Sequence, residues 1–139
     1  MDAKSFFREI RSERREIRIL TETIYAKEMD LLPSGIRYDK DQVQTSVEDI
    51  FTDKLATLGD YEKKRKKLVT KLAKRQAQAI EIISRIPDTR QRQVMEIYYL
   101  DMNNPTWDDV ASEMGYERRY ILKVHGNALG WVNDHVSIK

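Results

Sequence analysis

The side chains that could do chemistry in this chain of 139 residues are few. His125 and His135 stand ten positions apart, and on one helix that is about 15 Å of rise, too far for both to hold one metal. Acid pairs occur at Asp39 and Asp41 and at Asp108 and Asp109. Neither adjoins a glycine-rich phosphate loop or a nucleophile–base set. With no cysteine there is no thiol nucleophile, thiolate metal site or disulfide frame. Asn104-Pro105-Thr106 is no glycosylation acceptor, because Pro fills its middle position. The expectation is a chain with no catalysis, no metal and no cofactor. What remains is binding chemistry, concentrated in Arg118, Arg119, Tyr120, Leu122 and Lys123. Arg bonds guanine through two parallel hydrogen bonds, Lys takes phosphate or guanine, and Tyr reaches a phosphate or a thymine methyl.

Those five residues need a frame, and the surrounding sequence predicts one. Pro87-Asp88 marks a helix start, with Val94, Ile97 and either Tyr98 or Leu100 inward along a helix to about Leu100. Asn103-Asn104-Pro105 is turn chemistry, since Asn tolerates left-handed φ and Pro favours an extended predecessor. Thr106 caps a second helix, with Asp109 three residues on as the reciprocal acid. Asp108 and Asp109 also suit the positive first turn of that helix. Trp107, Val110, Ala111 and Met114 fall on one side, and Gly115 supplies a left-handed exit over which Tyr116 closes. A third helix begins near Glu117, with Ile121, Val124, Ala128 and Trp131 as its buried stripe.

Ala111, Gly115 and Ile121 have the spacing of a helix-turn-helix. The alanine lets helices cross, the glycine makes the turn, and the β-branched residue packs back into the crossing. The opposite face of the third helix then shows Arg118, Arg119, Tyr120, Leu122 and Lys123, where a recognition helix meets the major groove. Thr106 is a candidate phosphate contact beside them. The competing reading is a three-helix core whose exposed face is simply basic.

Two long helices precede this region. From about Ala3 to Leu32, Ala3, Ile10, Ile17, Ile24 and Leu31 recur every seven residues, with Phe6 and Leu20 in a second row that Glu13 and Lys27 interrupt. Arg8, Arg11, Arg14, Arg15 and Arg18 suit a solvated surface. Pro33-Ser34-Gly35 ends this helix, and a polar stretch runs from Ile36 to Thr45. Ser46 is expected to cap a second helix reaching Ile86, with Phe51, Leu58, Leu72, Ala79 and Ile86 in one row and Tyr61, Leu68 and Ile82 in the other. Arg65 and Arg75 break that pattern, and Gly59-Asp60 is a weak point. Two such helices predict an antiparallel, coiled-coil-like hairpin over residues 1–86, followed by a small helix-turn-helix domain over 87–139, an all-α fold. Interrupted seams bury little, which points to further support from a homodimer through the hairpin or from a partner.

Charge divides along the same line. Residues 1–86 hold 19 basic and 15 acidic side chains, and residues 87–139 hold 6 and 8, so +4 is followed by −2. Lys63, Lys64, Arg65, Lys66, Lys67, Lys71, Lys74 and Arg75 are eight cations with no acid among them. Lys63, Lys64, Lys66, Lys67 and Lys71 are either a solvated face or contacts to phosphate or an acidic protein. No apolar run approaches the ~18 residues of a membrane span, and the first fifteen residues lack a secretory core, so a cytoplasmic protein is expected.

Residues 88–129 resemble the fourth region of bacterial sigma factors: an Arg-bearing first helix, then Thr106-Trp107-Asp108-Asp109-Val110-Ala111, Met114-Gly115, and a helix reaching Ala128-Leu129. The stretch IRYDKDQVQTS, Ile36 to Ser46, is similar to one in small phage and prophage proteins that join a helical hairpin to this domain. Phage late-gene regulators of the ArpU and RinA type look alike in architecture. The resemblance implies a transcription regulator whose Arg118, Arg119, Tyr120, Leu122 and Lys123 contact double-stranded promoter DNA, with RNA polymerase as a further partner. Glu117 stands where the family has a Ser or Thr cap, and Met102 to Pro105 replaces its usual Gly. A non-enzymatic module that binds polymerase or another phage component without DNA is the alternative, and a DNA-packaging adaptor is a weaker third.

Overall fold

The computed structural model describes residues 1–32 and 44–138. Of the described residues 84% are helical and none lies in a strand. The order is α1 (Ala3–Asp30), α2 (Gln44–Ser84), α3 (Thr89–Met95) continued by a π-helical segment (Glu96–Leu100), α4 (Trp107–Met114) and α5 (Arg118–His135). The expected stop at Pro33-Ser34-Gly35, the pair Asp39 and Asp41, and the stretch IRYDKDQV lie outside the described residues. No described helix is long and apolar enough to cross a membrane.

Internal contacts divide the chain into Met1–Arg14 with Lys71–Lys139, and Arg15–Thr70. That division cuts both long helices and does not fall at the Ile86–Pro87 junction. In the first unit Phe6, Phe7 and Ile10 of α1 are buried, as are Ile82 and Ile83 at the end of α2 and Ile86 two residues beyond it. Val94, Val110, Ala111, Ile121 and Val124 form a core where α5 packs on α3 and α4. In the second unit Leu20, Ile24 and Leu58 are buried, Lys54 pairs with Asp30 at 2.9 Å, and the Lys27 ammonium sits 5.2 Å from the Tyr61 ring centre.

Several expectations need correction. Helix α2 is already helical at Gln44, so Ser46 is not its cap, and it runs through Gly59 without a break. A single glycine costs roughly 1 kcal/mol in a helix interior, too little to end a helix of 41 residues. Phe51, placed in the α2 seam, is 46% exposed. Glu13, expected to interrupt the α1 seam, is only 7% exposed and joins Arg75 (3.1 Å) and Lys71 (3.7 Å), so the two interruptions of facing helices neutralise each other. Arg75 also pairs with Glu9.

The largest correction concerns Arg14. Expected on a solvated face, it is 6% exposed. Its Nη2 donates to the Tyr99 carbonyl (2.7 Å) and its Nη1 to the Asp101 carbonyl and the Asn104 Oδ1 (2.8 Å each). Arg11 Nη1 donates to the Tyr98 carbonyl (2.7 Å) and Nη2 to the Asn104 carbonyl (3.2 Å). A helix end leaves its last carbonyls without backbone donors, and two guanidinium groups from α1 supply them. Asn104 Nδ2 returns a bond to the Arg11 carbonyl (3.1 Å).

Candidate nucleic-acid interface

The turn chemistry around α4 and α5 follows local rules. The Thr106 hydroxyl accepts from the Asp109 amide while the Asp109 carboxylate accepts from the Thr106 amide, a complete capping box. Those bonds hold the Asp109 carboxyl below its usual range. Gly115 adopts φ 74°, ψ 31°, and the amides of Gly115 and Tyr116 both bond the Ala111 carbonyl (2.9 and 3.0 Å). A side chain at Gly115 would be strained by that left-handed backbone. Asn104 takes the left-handed φ that an asparagine turn allows, +48°, in place of the extended value Pro105 favours. The arginine bonds to its amide and carbonyl hold it there.

An aromatic stack fixes where α4 begins. Arg11 lies 3.7 Å over the Tyr98 ring, Tyr98 stacks on Trp107 at 3.7 Å, and Trp107 lies 4.5 Å from His125 of α5. The Tyr99 hydroxyl bonds His125 Nε2 at 2.6 Å. Burial, aided by the Lys4 charge, lowers the His125 pKa to about 4, and burial raises that of Tyr99. Tyr99 was not expected inside. The π-helical segment shifts the phase of α3, so Tyr99 is buried while Ile97, Tyr98 and Leu100 are half-buried. On α5, Ile121, Val124 and Ala128 are buried as expected, but Trp131 is half-buried against His135, with Leu129 and Val132 inside instead. His135 is exposed, and no three potential ligands converge on a metal position among the described residues.

Four of the five expected contact residues stand outward. Arg118, Arg119, Leu122 and Lys123 are exposed. Arg118 Nε lies 3.7 Å from Asp108, both side chains open to water, so screening leaves that pair weak. Arg119 has no carboxylate within ion-pair distance among the described residues. Tyr120 differs: it is half-buried, its ring lies 4.9 Å from Tyr116, and its hydroxyl accepts from Arg90 Nη1 at 2.9 Å. Glu117, standing where the sigma-like pattern has a Ser or Thr cap, is the N-cap residue of α5 and makes no side-chain cap bond.

Gly126 and Gly130 share the outward face of α5 with Arg119 and Lys123, and a Cβ on either would meet nothing within 4 Å. Beside this face runs a groove lined by Asp88, Arg90, Gln91, Tyr120, Lys123 and Asn127. A second groove, lined by Gln93, Glu96, Ile97, Glu113, Met114 and Tyr116, opens onto the partly buried edge of the core. The candidate phosphate contacts separate. Thr106 is exposed but engaged as a cap, Lys71 pairs with Glu13, and Lys63, Lys64, Lys66 and Lys67 are exposed in the Arg15–Thr70 unit.

No protein-family model, curated protein or solved structure matches the chain. The likeness to sigma factors therefore stands on the residues alone.

Proposed function

We propose that the chain is a non-enzymatic, phage-type transcription regulator whose α4–turn–α5 segment is a helix-turn-helix reading double-stranded DNA. One observation carries this reading: the outward face of α5 presents Arg118, Arg119, Leu122 and Lys123 to solvent, while the opposite face of the same helix is locked into the core. Gly126 and Gly130 support it. Each costs the helix roughly 1 kcal/mol with no neighbour within 4 Å to justify it among the described residues, and a bare helix surface lets a duplex backbone come close. Arg118 and Arg119 have the reach for guanine, Lys123 for guanine or phosphate, and Leu122 for a thymine methyl.

In this reading α1 and α2 form a helical hairpin that pairs two copies or meets RNA polymerase. Tyr25, Met29, Phe51 and Leu55 favour that role, since all are large, apolar and exposed. A retardation assay on genomic fragments, with and without RNA polymerase, tests the reading. A shifted fragment without polymerase is the expected result, and none under either condition overturns it. The groove edged by Glu96 and Glu113 favours a second reading, a module that binds polymerase or another protein without DNA. A complex with polymerase that needs no DNA would select that alternative.

A further inference from the structure

We propose that Arg90 is a backbone anchor for duplex DNA, seating a phosphodiester oxygen beside the α5 face while reading no base. The inference rests on the DNA-reading function above and deepens it. Arg90 belongs to α3, outside the turn and helix that carry the expected contacts. Its Nη1 donates to the Tyr120 hydroxyl at 2.9 Å, and its guanidinium lies 5.4 Å from the Tyr116 ring centre. Two tyrosines from the α4–α5 turn and from α5 therefore hold an α3 arginine against α5.

The partners are neutral, which is the point. Five other arginines of this unit have spent charge or donors within it, among them Arg11 on the carbonyls of Tyr98 and Asn104. Arg75 pairs with Glu9 and Glu13, Arg92 donates to the carbonyls of Ile86 and Pro87, Arg14 to those of Tyr99 and Asp101, and Arg118 shares Asp108. Arg90 has no carboxylate within 4 Å among the described residues. One of its five N–H donors is fixed by Tyr120, so the planar fork keeps its full charge and most of its donors in a set orientation. The nearest acid in the groove, Asp88, accepts from the Gln91 amide at 3.0 Å and caps α3.

The groove supplies the rest of an anion seat. Lys123 adds a second cation and Gln91 and Asn127 add amide donors along the same wall. Lys123 also belongs to the proposed base-reading face, so an anion held between it and Arg90 lies at the border of that face. The strand phosphates that edge a major groove are the anions found at such a border.

The test uses the full chain on its selected duplex and on a scrambled duplex over a salt series. Arg90→Ala should weaken binding to both by the same factor, about 5- to 10-fold, and reduce the slope of log K against log salt by about 0.9. Arg90→Lys should restore the slope and only part of the affinity. Tyr120→Phe, which removes the orienting hydroxyl, should cost less than Arg90→Ala in the same direction. Inorganic phosphate at matched ionic strength should leave duplex affinity unchanged. An unchanged slope in Arg90→Ala overturns the anchor, as does a loss confined to the selected sequence, which would make Arg90 a base reader. Phosphate that competes with duplex only when Arg90 is present overturns it in favour of a free-anion site. Failure of the unaltered protein to bind any duplex removes the DNA-reading function itself, and is told apart by its independence of Arg90.

Discussion

Arginine plays opposite parts in two helices of this chain. In α1, Arg11 and Arg14 turn inward and donate to the carbonyls of Tyr98, Tyr99, Asp101 and Asn104. In α5, Arg118 and Arg119 turn outward, one facing an open aspartate and the other no acid among the described residues. Both pairs sit on charged helical stretches, and residue type does not separate them. What separates them is the supply of acceptors: a helix end and a left-handed asparagine give α1 five carbonyl or amide oxygens within reach, while among the described residues the outward arginines of α5 meet only the open Asp108 carboxylate. Arginine is structural where the fold leaves acceptors unfilled, and available for a partner where it does not.

Removing an inward arginine breaks this contrast most sharply. Arg14→Ala strips donors from one buried and two part-buried acceptors and should lower unfolding free energy by about 3 kcal/mol, while Arg119→Ala should stay within about 0.5 kcal/mol. Urea titration of both variants checks the difference, and equal effects would erase the distinction.

The inner stack next to Arg11 responds to acid. The folded pKa of His125, about 4, lies below its ordinary value of 6.5. The neutral ring therefore contributes stability that is complete above about pH 6.5 and lost as pH falls toward 4, an amount of about 3 kcal/mol. The stability difference between the unaltered protein and His125→Phe should shrink over that window. A difference that stays constant with pH would place His125 in water.

Between the two regions stands the cap of α4. Thr106→Ala should cost about 1 kcal/mol by freeing the Asp109 amide, read as a shift in urea midpoint. If Thr106 instead serves only phosphate, stability will not change. On the outer face, Gly126→Ala should raise stability by about 0.5–1 kcal/mol, because the added methyl meets open space. If that face meets a duplex backbone, the same variant should bind DNA more weakly. A variant that is more stable and binds equally well would leave the glycine unexplained.

What was legible in the sequence was local. Thr106 with Asp109 and the left-handed Gly115 were readable because a cap and a turn involve backbone within a few residues. The α5 stripe was legible as far as Ala128 and then failed, since Trp131 and Val132 both fit a helical period and only packing chooses between them. Arg14 and Phe7 were not legible. Their partners lie some ninety residues on, in a π-helical segment that no residue pattern announces. Arg90 was missed for the same reason: its meaning comes from Tyr116 and Tyr120, which the fold alone brings to it. Gly59 misled because a helix packed along its length tolerates one weak residue.

The outward arginines decide the account. Affinity of the unaltered protein, Arg118→Ala and Arg119→Ala should be measured by fluorescence anisotropy on a duplex selected from random sequence. Each substitution should weaken binding by about 1–3 kcal/mol and relax base preference at one position, with folding intact. Unchanged affinity and preference in both variants would contradict the assignment of the α5 face to DNA.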